Sequence, residues 1–264
     1  MRNRIARFFS IIKHSEFVSA IREKYYYNCF LQSFRTFSMR KIILTDKSDC
    51  IYRNDYLSVQ NQELVNMCRN NDLNGIKEFY SSYDADKTYY DEYFEHRLSM
   101  RVIAKHIENT ITRNSEILDI ACGHGYVDRY LCNKGFNRIT GIDLNENRVM
   151  ELKSYLFDVQ CADINSFESN TKYKVIIALE VFEHVSSIIE TINKIGKLLE
   201  QGGIVYISTP NERRIEDESH VRLFSINTLA NLMEQNGFEV KTAVLLPYLN
   251  HEKDNDIVCV CIKK

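Results

Sequence analysis

The sequence predicts an α/β protein: a doubly wound, mostly parallel seven-stranded sheet with an antiparallel last strand, preceded by a helical N-terminal extension. Three observations predict it. From Ser115 onward, short apolar runs alternate with helical segments, the pattern of parallel strands joined by crossover helices on both faces of a sheet. The last two strand-like runs, EVKTAVLLPYL and DIVCVCIKK, are joined by NHEKDN with no helix between them, so the final strand turns back antiparallel to its neighbour. The chain is 264 residues long, 44% hydrophobic and 27% charged, which suits one large α/β core with a modest extension. No apolar run approaches the roughly 18 residues needed to span a bilayer.

Taken in order, residues 1–60 form a basic extension with 11 Lys and Arg against 5 Asp and Glu. The whole chain carries −2, so residues 61–264 carry −8. The opening MRNRIARFFSIIKHSEF places Ile5, Phe8, Phe9 and Ile12 at helical spacing among arginines. The expectation is a surface helix covering the main domain; peripheral membrane or acidic-partner contact through residues 1–20 is the alternative. Lys13 breaks the apolar stretch and no small-residue cleavage site follows, so a secretory leader is not expected. Residues 61–110 read as a helical lead-in, with Tyr90, Phe94, Leu98, Val102 and Ile103 on one stripe.

The alternation proper occupies residues 111–264. It runs EILDIA and YVDRYLCNKG; RITGID and NENRVMELKSYL; FDVQCAD; KVIIAL and VSSIIETINKIGKLLE; GGIVYIST and SINTLANLMEQNG; then the two final strands. The eight cysteines show no zinc-like spacing and read as reduced thiols of a cytoplasmic protein. Cys259 and Cys261, two apart on a strand, share one face and are expected to be buried.

Chemistry collects at the strand ends. ILDIACGHG runs a strand into a loop with Gly123 and Gly125 ahead of a helix, where backbone can approach a ligand closely and helical N–H groups face it. Asp143 closes the second strand, where a carboxylate can accept both hydroxyls of a ribose. Asp163 follows the third strand, placed to accept from an adenine amino group, with Ile164 beside the ring. Any one of these aspartates could be a helix cap; three acids in order at consecutive strand ends are harder to dismiss. GxGxxG spacing is absent, which counts against a nicotinamide-binding domain.

With Asp119, ACGHG, Asp143, Asp163 and KVIIALE in that order, residues 90–264 resemble the class I S-adenosylmethionine-dependent methyltransferases, whose fold is Rossmann-like. The resemblance implies that Asp119 and the Gly123 and Gly125 backbone hold the methionine end of S-adenosyl-L-methionine, Asp143 the ribose, and Asp163 with Ile164 the adenine, with Ala121, Leu144 and Leu179 alongside. Ala121 replaces the loop's first glycine, and Lys174 stands where the fourth strand often opens on an acid.

EVFEHV, Glu180 to Val185, follows the fourth strand. Part of its acidity suits the electropositive start of a helix. Downstream, the loop STPNERRIEDESHVRLFS brings His220 and Arg222 and is long enough to cover a substrate. ExxEH with a later histidine resembles the quinone-biosynthesis O-methyltransferases and the small-RNA 2'-O-methyltransferases. The RNA branch implies Glu180, Glu183, His184 and His220 as ligands of Mg2+ or Mn2+. The metal-free reading makes His184 or His220 the base, with Glu180 also at the catalytic end. Arg222 is the candidate partner for an anionic group on the substrate.

The reading is thus a methyltransferase acting most simply on an oxygen of a small molecule, such as a sugar, phosphorylated or surface-glycan precursor. Transfer to nitrogen, metal-dependent RNA 2'-O-methylation and a non-catalytic cofactor-fold interaction protein are the alternatives. The −8 balance after residue 60 gives no sign of a phosphate-binding face, which counts against nucleic acid.

Overall fold

A computed structural model describes residues 16–37, 51–52, 59–82, 97–155, 158–211, 219–247 and 255–264. Their elements are α1 (Glu16–Thr36), β1 (Ile51–Tyr52), α2 (Val59–Arg69), α3 (Leu73–Ser82), α4 (Leu98–Thr110), β2 (Ile117–Ile120), α5 (Tyr126–Asn133), β3 (Ile139–Asp143), α6 (Glu146–Leu152), β4 (Asp158–Cys161), β5 (Tyr173–Leu179), α7 (Ile188–Leu198), β6 (Leu199–Pro210), β7 (Arg222–Leu223), α8 (Ile226–Gln235), β8 (Phe238–Pro247) and β9 (Asn255–Lys263).

Seven strands form the main sheet in the order β4-β3-β2-β5-β6-β9-β8. The pairs from β4 through β6 are parallel, and β9 runs antiparallel to both β6 and β8. The predicted fold class is the observed one. Chain order reverses direction between β2 and β5, a switch point where crossover connections diverge and leave a crevice outside the strands' carboxyl ends. β1 and β7 pair separately, through Ile51 with Leu223 and Tyr52 with Arg222.

Strand alternation divides the core between the two faces. On β5, Ile176 and Ala178 join the cluster under α7 and α8 with Ile192, Ile195, Leu229 and Met233. Val175, Ile177 and Leu179 join the opposite cluster with Val102, Ile103 and Ile107 of α4 and Leu131 of α5. Each fully buried side chain of this size contributes about 1.5–3 kcal/mol through burial. Cys259 and Cys261 share the α7–α8 face, buried, with sulfurs 3.4 Å apart, as strand periodicity requires.

The N-terminal helix belongs to this packing. Phe30 of α1 is buried, and Phe34 stacks on His106 of α4 at 5.0 Å. Ser33 Oγ meets Thr242 Oγ1 of β8 at 2.6 Å. His106 Nδ1 lies 2.8 Å from the Tyr206 hydroxyl of β6. Helices α2 and α3 make a smaller cap whose Leu64, Val65, Cys68 and Ile76 pack on Val221, just before β7.

One expectation changes, and others fall outside the described residues. The stripe from Tyr90 begins outside the described residues, and the helix there opens at Leu98. α7 starts at Ile188 behind Ser187, and the acid in its first turn is Glu190; EVFEHV is therefore a strand-to-helix connection, not an acidic first helical turn. The start of the basic extension and most of the loop before His220 lie outside the described residues. Among the described residues no helix is long and apolar enough to cross a membrane.

Candidate functional site

Parallel strands end together, so β2, β3, β4, β5 and β6 deliver their carboxyl-terminal residues to one edge of the sheet. A cavity of about 890 Å³ opens there. Ala121, Gly123, Asp143, Leu144, Asp163, Ile164 and Leu179 line one part of it, and Glu180, Glu183, His184 and His220 line the other.

The loop after β2 is built from left-handed backbone, with φ of 53° at Ala121, 56° at Gly123 and 64° at Gly125. Glycine tolerates this region, whereas alanine pays a steric penalty there. A Cβ on Gly123 would meet nothing nearer than the Ala121 carbonyl oxygen at 4.0 Å, so its absence widens the cavity floor rather than relieving a clash. Gly125 is the N-cap before α5, and its N–H donates to the Cys122 carbonyl at 2.8 Å. It supports the turn without lining the cavity.

Asp143 anchors that loop. Its Oδ2 accepts from the Gly123 N–H at 2.8 Å and its Oδ1 from the Asn145 N–H at 2.8 Å. Each carboxylate oxygen has a second acceptor site, so ribose hydroxyls can be accepted without breaking the turn. Asp163 is held by the Asn165 N–H at 2.9 Å, beside the buried Ile164. The glycine loop, the two acids and the apolar Leu179 and Ile164 fit the loop end, sugar and base of an adenosyl cofactor.

Asp119 is only 6% exposed and does not line the cavity. It lies behind the loop near Asp128 of α5. Burial, then the Asp128 and Asp143 carboxylates, push its carboxyl well above the usual range. Burial raises Asp128 to about 7. Two carboxyls in one dry site share a proton rather than ionise together. Asp119 therefore acts on the loop from behind, and the expected direct contact with the methionine end is not where this side chain sits.

Glu180 is strained, with φ of 57°, and is tied in place. Arg97 donates to its Oε2, and the Ser208 hydroxyl donates to Oε1 at 2.7 Å. The same Arg97 nitrogen donates to Asp256 Oδ1 at 3.1 Å, and Ser99 completes that carboxylate. Glu180, which the resemblance to the RNA branch implies as a metal ligand, is thus held by Arg97 and Ser208 and is not among the donor atoms that converge. The group that does converge is Glu183, His184 and His220, with one donor atom from each lying within 4.8 Å of the others.

Within that group Glu183 is 1% exposed and accepts from the Thr209 hydroxyl at 2.9 Å. Its Oε1 is buried without a hydrogen-bond partner among the described residues. Burial, and then the Glu180 carboxylate, raise its carboxyl well above the ordinary value. His184 Nδ1 lies 3.0 Å from the Ser219 carbonyl, and its Nε2 lies 3.8 Å from Glu183 Oε1. A carbonyl can only accept, so Nδ1 carries the hydrogen and Nε2 the lone pair. The His220 ring centre is 4.9 Å from that of His184. An orphaned buried carboxylate oxygen beside two imidazoles is a donor set that fits a divalent ion.

Arg222 is corrected from substrate contact to structural clamp. It is 1% exposed, does not line the cavity, and donates to the Val185 and Ser186 carbonyls, the latter at 2.6 Å. It thereby fastens the EVFEHV connection to β7. The sequence reading missed Arg97 and Tyr80, both lining the cavity from the helical lead-in, because their approach depends on how the cap folds back. It also gave no role to His124, whose Nδ1 lies 3.3 Å from Glu151 at the cavity edge. Burial, then Arg148, lower its pKa, and Glu151 opposes that shift.

A methyltransferase domain family matches residues 90–243. Ubiquinone biosynthesis O-methyltransferase from Rickettsia conorii is 30% identical over 125 residues, 45% of this chain and 43% of that protein. The counterpart from Pelagibacter ubique is 30% identical over 106 residues, 38% of this chain and 44% of that one. The chain thus matches less than half the length of these relatives. Among solved structures, Burkholderia thailandensis 1,6-didemethyltoxoflavin-N1-methyltransferase, with bound S-adenosylhomocysteine, superimposes with a TM-score of 0.60 at 15% identity, covering 84% of this chain and 99% of that one. At that identity the likeness concerns the fold alone.

Proposed function

The chain belongs to the class I S-adenosylmethionine-dependent methyltransferases, and from that premise we propose that it transfers a methyl group to an oxygen of a small hydroxylated acceptor. The observation that carries the reading is one continuous cavity with the glycine loop, Asp143 and Asp163 on one side and Glu183, His184 and His220 on the other. The O-methyltransferase names of the matched relatives support oxygen as the acceptor atom. The acidic balance of residues 61–264 supports a small molecule over a polyanion.

Bound S-adenosylmethionine supplies an electrophilic methyl carbon on a sulfonium sulfur. The chain's part is to bind, align and deprotonate. Asp143 accepts from the ribose hydroxyls, Asp163 accepts from the adenine amino group, and Ile164 and Leu179 exclude water around the rings. The His184 Nε2 lone pair would take the acceptor hydroxyl proton as the C–O bond forms and the methyl–sulfur bond breaks, the sulfonium leaving as a neutral thioether, a role worth typically 10²–10⁴-fold in rate. Glu183 and His220 surround that nitrogen and set its charge environment. A divalent ion held by Glu183, His184 and His220 would instead lower the pKa of a coordinated acceptor hydroxyl. Most of the remaining barrier is removed by alignment within the cavity.

Titration calorimetry with S-adenosylmethionine tests the premise: the wild-type protein binds, and Asp143→Ala weakens binding on the order of tenfold to a hundredfold, the loss of charge-assisted hydrogen bonds. A wild-type protein that does not bind refutes the enzyme reading. Incubation of metabolite pools with isotopically labelled S-adenosylmethionine then identifies the acceptor; label found only on nitrogen refutes the choice of oxygen.

A further inference from the structure

The cap helix α3 precedes the family-matched segment, which begins at residue 90, so what it adds to the cavity lies outside the matched domain. We infer that Lys77 of α3 is a specificity-determining residue whose ammonium holds an anionic group, a phosphate or a carboxylate, on the acceptor molecule. The inference deepens the proposed function, since it rests on the part of the cavity with Glu183, His184 and His220 being the acceptor side.

Leu73, Asn74, Ile76, Lys77 and Tyr80 line the cavity, and spacings of three and four put them on one face of α3. Tyr80 fixes where that face lies. Its hydroxyl is 3.0 Å from the Ser219 carbonyl oxygen and 3.4 Å from that of His184. Below it, Ile76 packs with Val221, the residue after His220. Lys77 is one turn before Tyr80, and so belongs to the acceptor side rather than the nucleoside side.

Lys77, Arg97 and Arg148 are the lysine and arginine side chains that line the cavity. Arg97 is committed to Glu180 and Asp256. Arg148 belongs to the cofactor side, where its charge acts on His124 of the glycine loop. Lys77 is exposed and has no carboxylate partner among the described residues. The acceptor side offers it none, because Glu180 is held by Arg97 and Ser208, and Glu183 is 1% exposed with Thr209 donating to it. An unpaired cation at the wall of a substrate cavity is complementary to an anion that the ligand brings, and such complementarity sets specificity and speeds capture. Lysine, a point charge on a flexible stem, suits a phosphate or carboxylate whose orientation is fixed by other contacts. The Asn74 amide, three residues earlier on the same face, can donate a second hydrogen bond to that group.

The cofactor also carries a carboxylate, on its methionine end, and the test separates the two sources. Amide NMR of the full-length protein titrated with inorganic phosphate at constant ionic strength, with and without S-adenosylhomocysteine, reads the site without methyl transfer. Wild-type protein is expected to show saturable shifts at Lys77, Tyr80 and His220 with a midpoint on the order of 1 mM, and to keep them when S-adenosylhomocysteine is bound. Lys77→Gln is expected to raise the midpoint about fivefold, the upper end for one exposed ion pair. Lys77→Arg is expected to restore most of the affinity, and Lys241→Gln, outside the cavity, to leave it unchanged. No saturable shift in the wild type, or an unaltered midpoint in Lys77→Gln, overturns the inference. Displacement of phosphate by S-adenosylhomocysteine, or weaker S-adenosylhomocysteine binding in Lys77→Gln, also overturns it by assigning the lysine to the cofactor carboxylate. If S-adenosylhomocysteine does not bind at all, the enzyme reading fails, and the cofactor-free phosphate titration still decides for or against Lys77.

Discussion

Replacing Arg97 with methionine removes a buried positive charge while keeping an apolar stem of similar reach. Arg97 is 5% exposed and bridges Glu180 and the fully buried Asp256. Breaking a buried pair by deleting one partner costs about 3–5 kcal/mol, because the remaining charge is left uncompensated. Two features favour the low end here: the Ser208 and Ser99 hydroxyls still donate to the two carboxylates, and the Glu180 side chain keeps 10% exposure. The expected loss is about 3 kcal/mol, or a fall in Tm of about 6–12 °C for a domain of this size. Chemical denaturation near neutral pH measures the loss. Adding Glu180→Gln removes one stranded charge, so the double variant is expected to recover about 1–2 kcal/mol relative to Arg97→Met alone. A loss under about 1 kcal/mol, or no recovery in the double variant, refutes the view that Arg97 organises the end of β5.

Ala121 occupies left-handed backbone, so Ala121→Gly is expected to be neutral or stabilising by up to about 1 kcal/mol, the relieved strain being partly offset by unfolded-chain entropy; Ala121→Val is expected to destabilise by at least about 1 kcal/mol on the same denaturation assay. Burial lowers His106 from 6.5 to about 4, so the unfolded chain binds the proton more tightly and stability falls as pH drops from 6.5 toward 4. The loss amounts to about 3 kcal/mol, and acid titration of stability should show a shallower limb in His106→Gln. If Glu183, His184 and His220 hold an ion, Mn2+ at a hundredfold its Kd raises wild-type stability by about 2.7 kcal/mol and leaves Glu183→Gln close to its metal-free value. Activity that survives chelation and His220→Ala shows that the reaction needs no ion.

Much of the fold was legible because the determinants are local. Period-two and helical apolar patterns depend only on neighbours in the chain, and they find the seven strands of the main sheet between Ile117 and Lys263; the short β7 they leave as loop. The acids at strand ends were legible for a related reason: a parallel sheet brings all its carboxyl ends to one edge, so chain order alone gathers Asp143, Asp163 and Glu180. What side chains do at that edge depends on partners distant in sequence. Arg97 takes Glu180 across 83 residues, and Arg222 reaches back to the connection it clamps across 36 and 37. Neither pairing leaves a trace in spacing, because opposite charges and carbonyls find each other only after the sheet has formed.

By itself, then, the sequence determined the layered α/β architecture, the reversal at the last strand, the glycine loop and the acids at the strand ends. Tertiary structure decided which of four candidate ligands converge, which arginine is structural, and that a tyrosine from the N-terminal cap reaches the histidine. The physical reason is that backbone pattern is set by short-range sterics and apolar periodicity, whereas the direction and protonation of a buried polar side chain are set by whichever donors and acceptors packing brings within about 3 Å.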